Sequence, residues 1–235
     1  MLEEKKLLNH FRPRAEHLIK RVDPLMKKFG IRNYIIAGSS LIDFKARDID
    51  VFPIEGEPEP GNDPLPIYTT TNAKTYRFKG EIIQICNYRA RSVEELIERF
   101  DFTGIQIGVE ICRDGTRRLD FTPEFVMARL LNDSIYTSTT DYPLSSLMRM
   151  NKYYNRGQMS AVTYRRNIVL CLTHLIKRGF LNRDDFKNQL DAVDVAIFAD
   201  DVFIPKKELD KLFELLRKDH VGPPPIPEPD TNPAS

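Results

Sequence analysis

Apolar residues recur near a 3.6-residue period from Leu2 to Phe29. Leu7, Leu8, Phe11, Leu18, Ile19, Val22 and Met26 form one stripe, which predicts an amphipathic helix closed by Gly30. The period then shortens. Asn33–Ala37 is a β-rich run that stops at Gly38-Ser39-Ser40, and a second run, Ile49–Phe52, begins inside Asp48-Ile49-Asp50. Pro53 to Pro66 holds too many prolines, glycines and acids for a helix or a central strand and reads as a surface loop. Lys74–Phe78 and Glu81–Tyr88 read as strands joined at a Lys79-Gly80 hairpin turn.

Ser92 and Glu95 form a capping-box pattern that opens a short helix, SVEELIERF. Gly104–Ile111 and Arg117–Phe121 read as two more strands about an Asp114-Gly115 turn, and Thr122-Pro123-Glu124 starts a helix. Beyond Pro143 the pattern is helical throughout: LSSLMRMNKYYNRG, TYRRNIVLCLTHLIKRG, RDDFKNQLDAVDVAIF and KKELDKLFELLRKD. The predicted organisation is an α+β domain over residues 1–142, a helical domain over 143–220, and a proline-rich tail over 221–235. That tail, VGPPPIPEPDTNPAS, has too few core-forming residues to fold and is expected to be disordered.

The two strand aspartates carry the most specific chemistry. Side chains alternate across a strand, so Asp48 and Asp50 project from one face. Two like charges that close repel unless a cation lies between them, and Mg2+ (or Mn2+) prefers such oxygen ligands, with phosphate oxygens completing its shell. Upstream, Gly38 lets a ligand approach the backbone, while Ser39 and Ser40 offer hydroxyls and N–H groups to an anion.

An apolar strand, Gly-Ser, eight further residues and then Asp-Ile-Asp-Val-Phe resembles the signature of the DNA polymerase beta-like nucleotidyltransferase superfamily, as in the head domain of poly(A) polymerase and in minimal nucleotidyltransferases. The resemblance covers roughly the first half of the chain. It implies a nucleotidyltransferase palm with a mixed β-sheet, followed by a C-terminal helical domain. It also implies a reaction that moves a nucleoside monophosphate from a nucleoside triphosphate to a hydroxyl, with ATP among the expected donors. Carried over, Gly38, Ser39 and Ser40 take the triphosphate, and Asp48 and Asp50 are catalytic and hold the metal.

The superfamily has a third carboxylate on a later strand, in a run resembling Gly-Ile-x-Ile-Asp-Leu. Here the similar run is Gly80-Glu81-Ile82-Ile83-Gln84-Ile85, so a glutamine stands at the expected acid. An amide oxygen ligates Mg2+ without charge and cannot act as a base. Asp101 and Asp120 are the candidate substitutes, each with a structural alternative: Asp101 as a turn cap, Asp120 as a residue preceding a helix. We take Asp101 as the third catalytic residue and Gln84 as nucleotide-binding.

Ser145, Arg149, Lys152 and Arg156 share one helix face, opposite Leu147, Met150 and Tyr154. Arg149 and Lys152 are expected to contact the nucleotide; the alternative is a solvated face.

The composition narrows the setting. Lys and Arg total 35 against 34 Asp and Glu, a net charge of +1, so a broad grip on duplex nucleic acid is not expected. No apolar run approaches a membrane span, and the N-terminus lacks a secretory pattern. Cys86, Cys112 and Cys171, far apart among apolar neighbours, read as buried free thiols of a cytoplasmic protein. His10, His17, His174 and His220 form no zinc-ligand spacing, and no P-loop occurs. The acceptor is an RNA 3′ end, a protein or a small molecule. The alternative, suggested by Gln84, is a catalytically weakened nucleotide-binding or partner-binding module.

Overall fold

The computed structural model describes residues 2–43, 46, 48–182, 185, 186 and 189; the predicted helix at 206–219, the tail and all but three residues of the predicted helix at 183–198 lie outside the described residues. The fold is α+β. A long helix, α1 (Leu2–Lys28), precedes β1 (Tyr34–Ala37), a four-residue helix α2 (Ser39–Ile42) and β2 (Ile49–Pro53). Then come β3 (Tyr68–Thr69), β4 (Ala73–Phe78), β5 (Glu81–Cys86), α3 (Val93–Glu98), β6 (Ile107–Ile111) and β7 (Arg117–Phe121). Three helices follow: α4 (Pro123–Leu131), α5 (Pro143–Asn155) and α6 (Ala161–Arg178).

The seven strands form one mixed sheet in the order β3-β4-β5-β2-β1-β6-β7, antiparallel except for the β2–β5 pair. Alternation along the strands sorts its two faces. Ile49 and Val51 of β2, with Ile83 and Ile85 of β5, pack into a core with Leu18, Val22 and Met26 of α1. Each such fully buried side chain contributes roughly 1.5–3 kcal/mol, and that burial carries α1 through Pro13 and Pro24, which interrupt its backbone bonding. On the other face Ile35 and Ala37 pack against Val93, Leu96 and Ile97 of α3. Asp50 and Phe52, the out-of-phase residues of β2, therefore project away from α1.

The local signals act as expected at most ends. Gly30 closes α1 with φ of 73°, and Lys79 and Gly80 take φ of 50° and 84° in the hairpin turn. The Oγ atoms of Ser92, Thr122 and Ser160 accept the backbone N–H three residues on at the starts of α3, α4 and α6. The capping box at Ser92 is half made, because the Glu95 carboxylate accepts instead from the Arg91 N–H and side chain and from the Tyr88 hydroxyl.

Three expectations need correction. Gly104–Ile111 is not one strand: Thr103–Ile105 is a 3₁₀ turn, and only Ile107–Ile111 pairs. The Ser134 hydroxyl accepts from the Gly104 N–H at 2.9 Å, which commits this stretch to a turn. The short strand β3, made of two exposed residues, carries no alternation long enough to be read. Of the three free cysteines only Cys171 is buried; Cys86 and Cys112 are half-buried.

α5 and α6 build a separate small core, with Met150, Tyr153 and Cys171 against Phe102 and Tyr136. Two residues of the basic face of α5 are held by acids: half-buried Arg149 pairs with Asp101, and Arg156, itself exposed, with Asp43. Among the described residues no helix is long and apolar enough to cross a membrane.

Candidate active site

A cavity of about 780 Å³ lies between α5 and the sheet face opposite α1, within the roughly 300–1,000 Å³ range of small-ligand sites. Gly38, Ser39, Asp48, Asp50, Gln84, Asp101, Arg149 and Lys152 all line it. Residues separated by up to about a hundred positions in the chain thus meet around one space.

Its floor is a row of side chains in register across four strands. Asp50 pairs with Gln84 across β2 and β5, Gln84 with Thr75 across β5 and β4, and Thr75 with Tyr68 across β4 and β3. All four line the cavity. At about 4.8 Å per strand the row runs roughly 14 Å, from the carboxylate to the exposed ring of Tyr68.

Gly38 closes β1 with φ 81° and ψ −145°, a conformation that is essentially glycine-only. Its N–H donates to the Ile107 carbonyl at 2.9 Å, and a Cβ there would stand 3.5 Å from the Phe100 ring. Ser39 follows on the cavity wall. Ser40 does not: it is fully buried and absent from the lining, and its carbonyl accepts from Arg14 Nε at 2.9 Å. In the tight turn of α2 successive side chains diverge by about 100°, so Ser39 and Ser40 cannot both face one ligand.

The carboxylates of Asp48 and Asp50 set the potential on the floor. Burial pushes the Cys86 thiol well up, and the charges of Asp50 and Asp48 push it further. Tyr153 of α5 also faces this space. Burial pushes its phenol up to about 12, with Arg149 opposing and Asp101 and Asp50 adding to the rise, so it is a neutral O–H group at physiological pH.

The donor set is hard oxygen: two carboxylates, the Gln84 amide and the Ser39 hydroxyl. That chemistry fits Mg2+ or Mn2+ completed by water and phosphate oxygens, and not zinc, which favours Cys and His. Among the described residues no group of three or more His, Cys, Asp and Glu gathers as a ready-made metal cage.

Asp101 is tightly held. It is 4% exposed, and its Oδ2 accepts from Ser146 Oγ at 2.5 Å and from Arg149 Nη2 at 2.7 Å. Asp120 lies elsewhere, in an acidic groove with Glu94, Glu98 and Glu124, where its Oδ1 accepts from the Phe121 N–H. It is not part of the cavity.

The expectations did not include the aromatic side of the cavity. Phe52, Tyr88 and Phe100 line it, with the Arg99 guanidinium 4.7 Å from the Tyr88 ring centre and 3.6 Å from Asp141. Phe52 was available from the alternation that gives Asp50; Tyr88, Arg99 and Asp141 lie in loops or at a helix end, where no period points.

No family model matches the sequence, and no curated protein matches it. Three solved structures overlap the chain. A tRNA-processing enzyme in an apo form is 15% identical, with a TM-score of 0.44, over 83% of this chain and 65% of that one. The CCA-adding enzyme of Thermotoga maritima complexed with tRNA is 16% identical, with a TM-score of 0.40, over 91% and 57%. A tRNA nucleotidyltransferase complexed with a primer tRNA and an incoming ATP analogue is 16% identical, with a TM-score of 0.44, over 84% and 67%. The chain thus spans about two thirds or less of the length of each.

Proposed function

We propose that this protein is a Mg2+- or Mn2+-dependent nucleotidyltransferase that moves a nucleoside monophosphate from a nucleoside triphosphate to a hydroxyl acceptor. The observation that carries the reading is the meeting of Asp48, Asp50, Gly38 and Ser39 with Arg149 and Lys152 around one cavity. Carboxylates for a cation stand on β2 and just before it, and cations for phosphates stand on the helix opposite.

In this reading Gly38 and Ser39 cradle the β- and γ-phosphates, and Arg149 and Lys152 offset the triphosphate's charge from the other wall. Asp48 and Asp50 hold the metal, which when bound neutralises charge developing on the attacking and leaving oxygens. Gln84 contributes a neutral amide oxygen beside Asp50. The neutral Tyr153 hydroxyl is available as a hydrogen-bond donor. The palm corresponds to residues 1–142 and the helical part to 143–220, and the half-buried and buried free thiols favour a cytoplasmic setting.

The test is pyrophosphate release from each nucleoside triphosphate with Mg2+, alongside labelled triphosphate and total cellular RNA or protein to see which acceptor becomes labelled. A chain that neither releases pyrophosphate nor labels an acceptor is not this enzyme. Tight triphosphate binding without turnover selects the second reading, a catalytically weakened nucleotide-binding module, which the in-register glutamine beside Asp50 favours.

A further inference from the structure

Asp101 stands at the cavity but does not face it as a spare ligand. One of its oxygens already accepts two short hydrogen bonds, from a hydroxyl and from a guanidinium, both on α5 and one helical turn apart. Its backbone is fixed as well: the Asp101 carbonyl accepts from the Thr137 N–H at 3.0 Å, and the next residue, Phe102, is fully buried against Tyr136 and Tyr153. A carboxylate so held has little freedom to swing toward the strand aspartates. The position beside Asp50 is taken by Gln84, its register partner.

The geometry points to Asp101 as a positioning residue that aims the Arg149 guanidinium at the cavity wall, where it would meet a bound polyphosphate, rather than as a third metal ligand. This rests on the nucleotidyltransferase reading for the identity of the ligand. The physical argument is one of preorganisation. An arginine on a helix face has several rotamers, and the buried carboxylate selects one of them before the ligand arrives. The same bonds tie α5 to the turn that follows α3, so the helix carrying Lys152 is held at a set height above the floor. A second pair, Arg156 to Asp43 at 2.8 Å, does the same at the far end of α5.

Calorimetric binding of inorganic tripolyphosphate to the full chain, at several Mg2+ concentrations, tests this without depending on turnover. Asp101→Asn and Arg149→Gln are each expected to weaken binding about tenfold, the strength of a charge-assisted contact. The double variant should be no weaker than either single one, because both remove the same device. The Mg2+ concentration giving half the effect should not move.

Ser146→Ala keeps the ion pair and should weaken binding about threefold or less. If Asp101→Asn fails to fold, Arg149→Gln still decides, since binding at the wild-type level in that variant overturns the assignment. A raised Mg2+ requirement in Asp101→Asn, additive with Arg149→Gln, returns Asp101 to the metal and overturns it too. A wild-type chain that binds no tripolyphosphate at any Mg2+ concentration sinks the transferase reading and this inference together.

Discussion

Asp50 and Gln84 are register partners across the one parallel strand pair of the sheet, and both line the cavity floor. In the proposed reading, the glutamine sits where a second strand would present an acid to the metal. Gln84→Asp or Gln84→Glu should therefore lower the Mg2+ concentration needed for half-maximal turnover, while Gln84→Ala should change turnover only a few-fold. A Gln84→Glu protein with reduced metal affinity would show that the amide does not face the cation. The assay is turnover against Mg2+ concentration, with melting temperature measured on the same preparations.

Asp48→Asn and Asp50→Asn should each lower turnover by on the order of 10²-fold or more, since each removes charge stabilisation at a preorganised site. The complementary readout is thermal. A ligand that binds only the folded state raises its stability, so the melting-temperature increase given by Mg2+ with a triphosphate should vanish in both variants. Retention of that increase at full size in either one would sink the two-aspartate site.

Gly38 is held at φ 81° with the Phe100 ring nearby. Gly38→Ala fits the space at 3.5 Å from the ring but not the backbone, and should cost roughly 1–3 kcal/mol of stability. Gly38→Val adds crowding and should weaken triphosphate binding beyond that loss. Denaturant melts separate the strain from the binding defect, and unchanged triphosphate affinity in folded Gly38→Val would count against the cradle.

Glu57 gives a pH-dependent prediction away from the site. Its side chain is 2% exposed, and burial alone would raise its pKa. The Arg32 N–H at 2.7 Å and the Arg113 guanidinium at 2.7 and 2.9 Å on the other oxygen outweigh this and hold the carboxyl below the ordinary glutamate range. The unfolded chain thus takes up the proton first. The stabilisation is complete above the ordinary glutamate pKa and is lost as pH falls through the folded value. Glu57→Gln should cost roughly 1–3 kcal/mol at neutral pH and flatten the dependence of melting temperature on pH below the ordinary glutamate pKa. An unaltered slope would assign the acid sensitivity to other groups.

The sheet was legible because its strands obey a short period. The same alternation is the ground for expecting Asp48 and Asp50 on one face, and the two-residue turn at Lys79-Gly80 fixes the hairpin register, so Thr75 opposite Gln84 could have been counted from the turn outward. What could not be read is which distant partners meet. Nothing near Asp101 in sequence announces Arg149, and nothing near Asp43 announces Arg156. Those pairs depend on where α5 lands after the sheet has formed. The Ser39 and Ser40 side chains part for a different reason: the residues that follow Gly38 turn helical at once, and a period of two no longer applies.

The β2–β5 pairing has a kinetic consequence. It joins strands separated by the whole excursion through the loop, β3, β4 and the hairpin turn, and closing a long loop costs chain entropy that short-range contacts do not. The β4–β5 hairpin, closed by two residues, can form early and alone; its docking beside β2 is the slower event, and only then does Gln84 reach Asp50. Substitutions that weaken the turn at Lys79-Gly80 should accordingly delay the arrival of activity during refolding more than the arrival of helix signal. The cavity floor would then be among the last parts of the molecule to assemble.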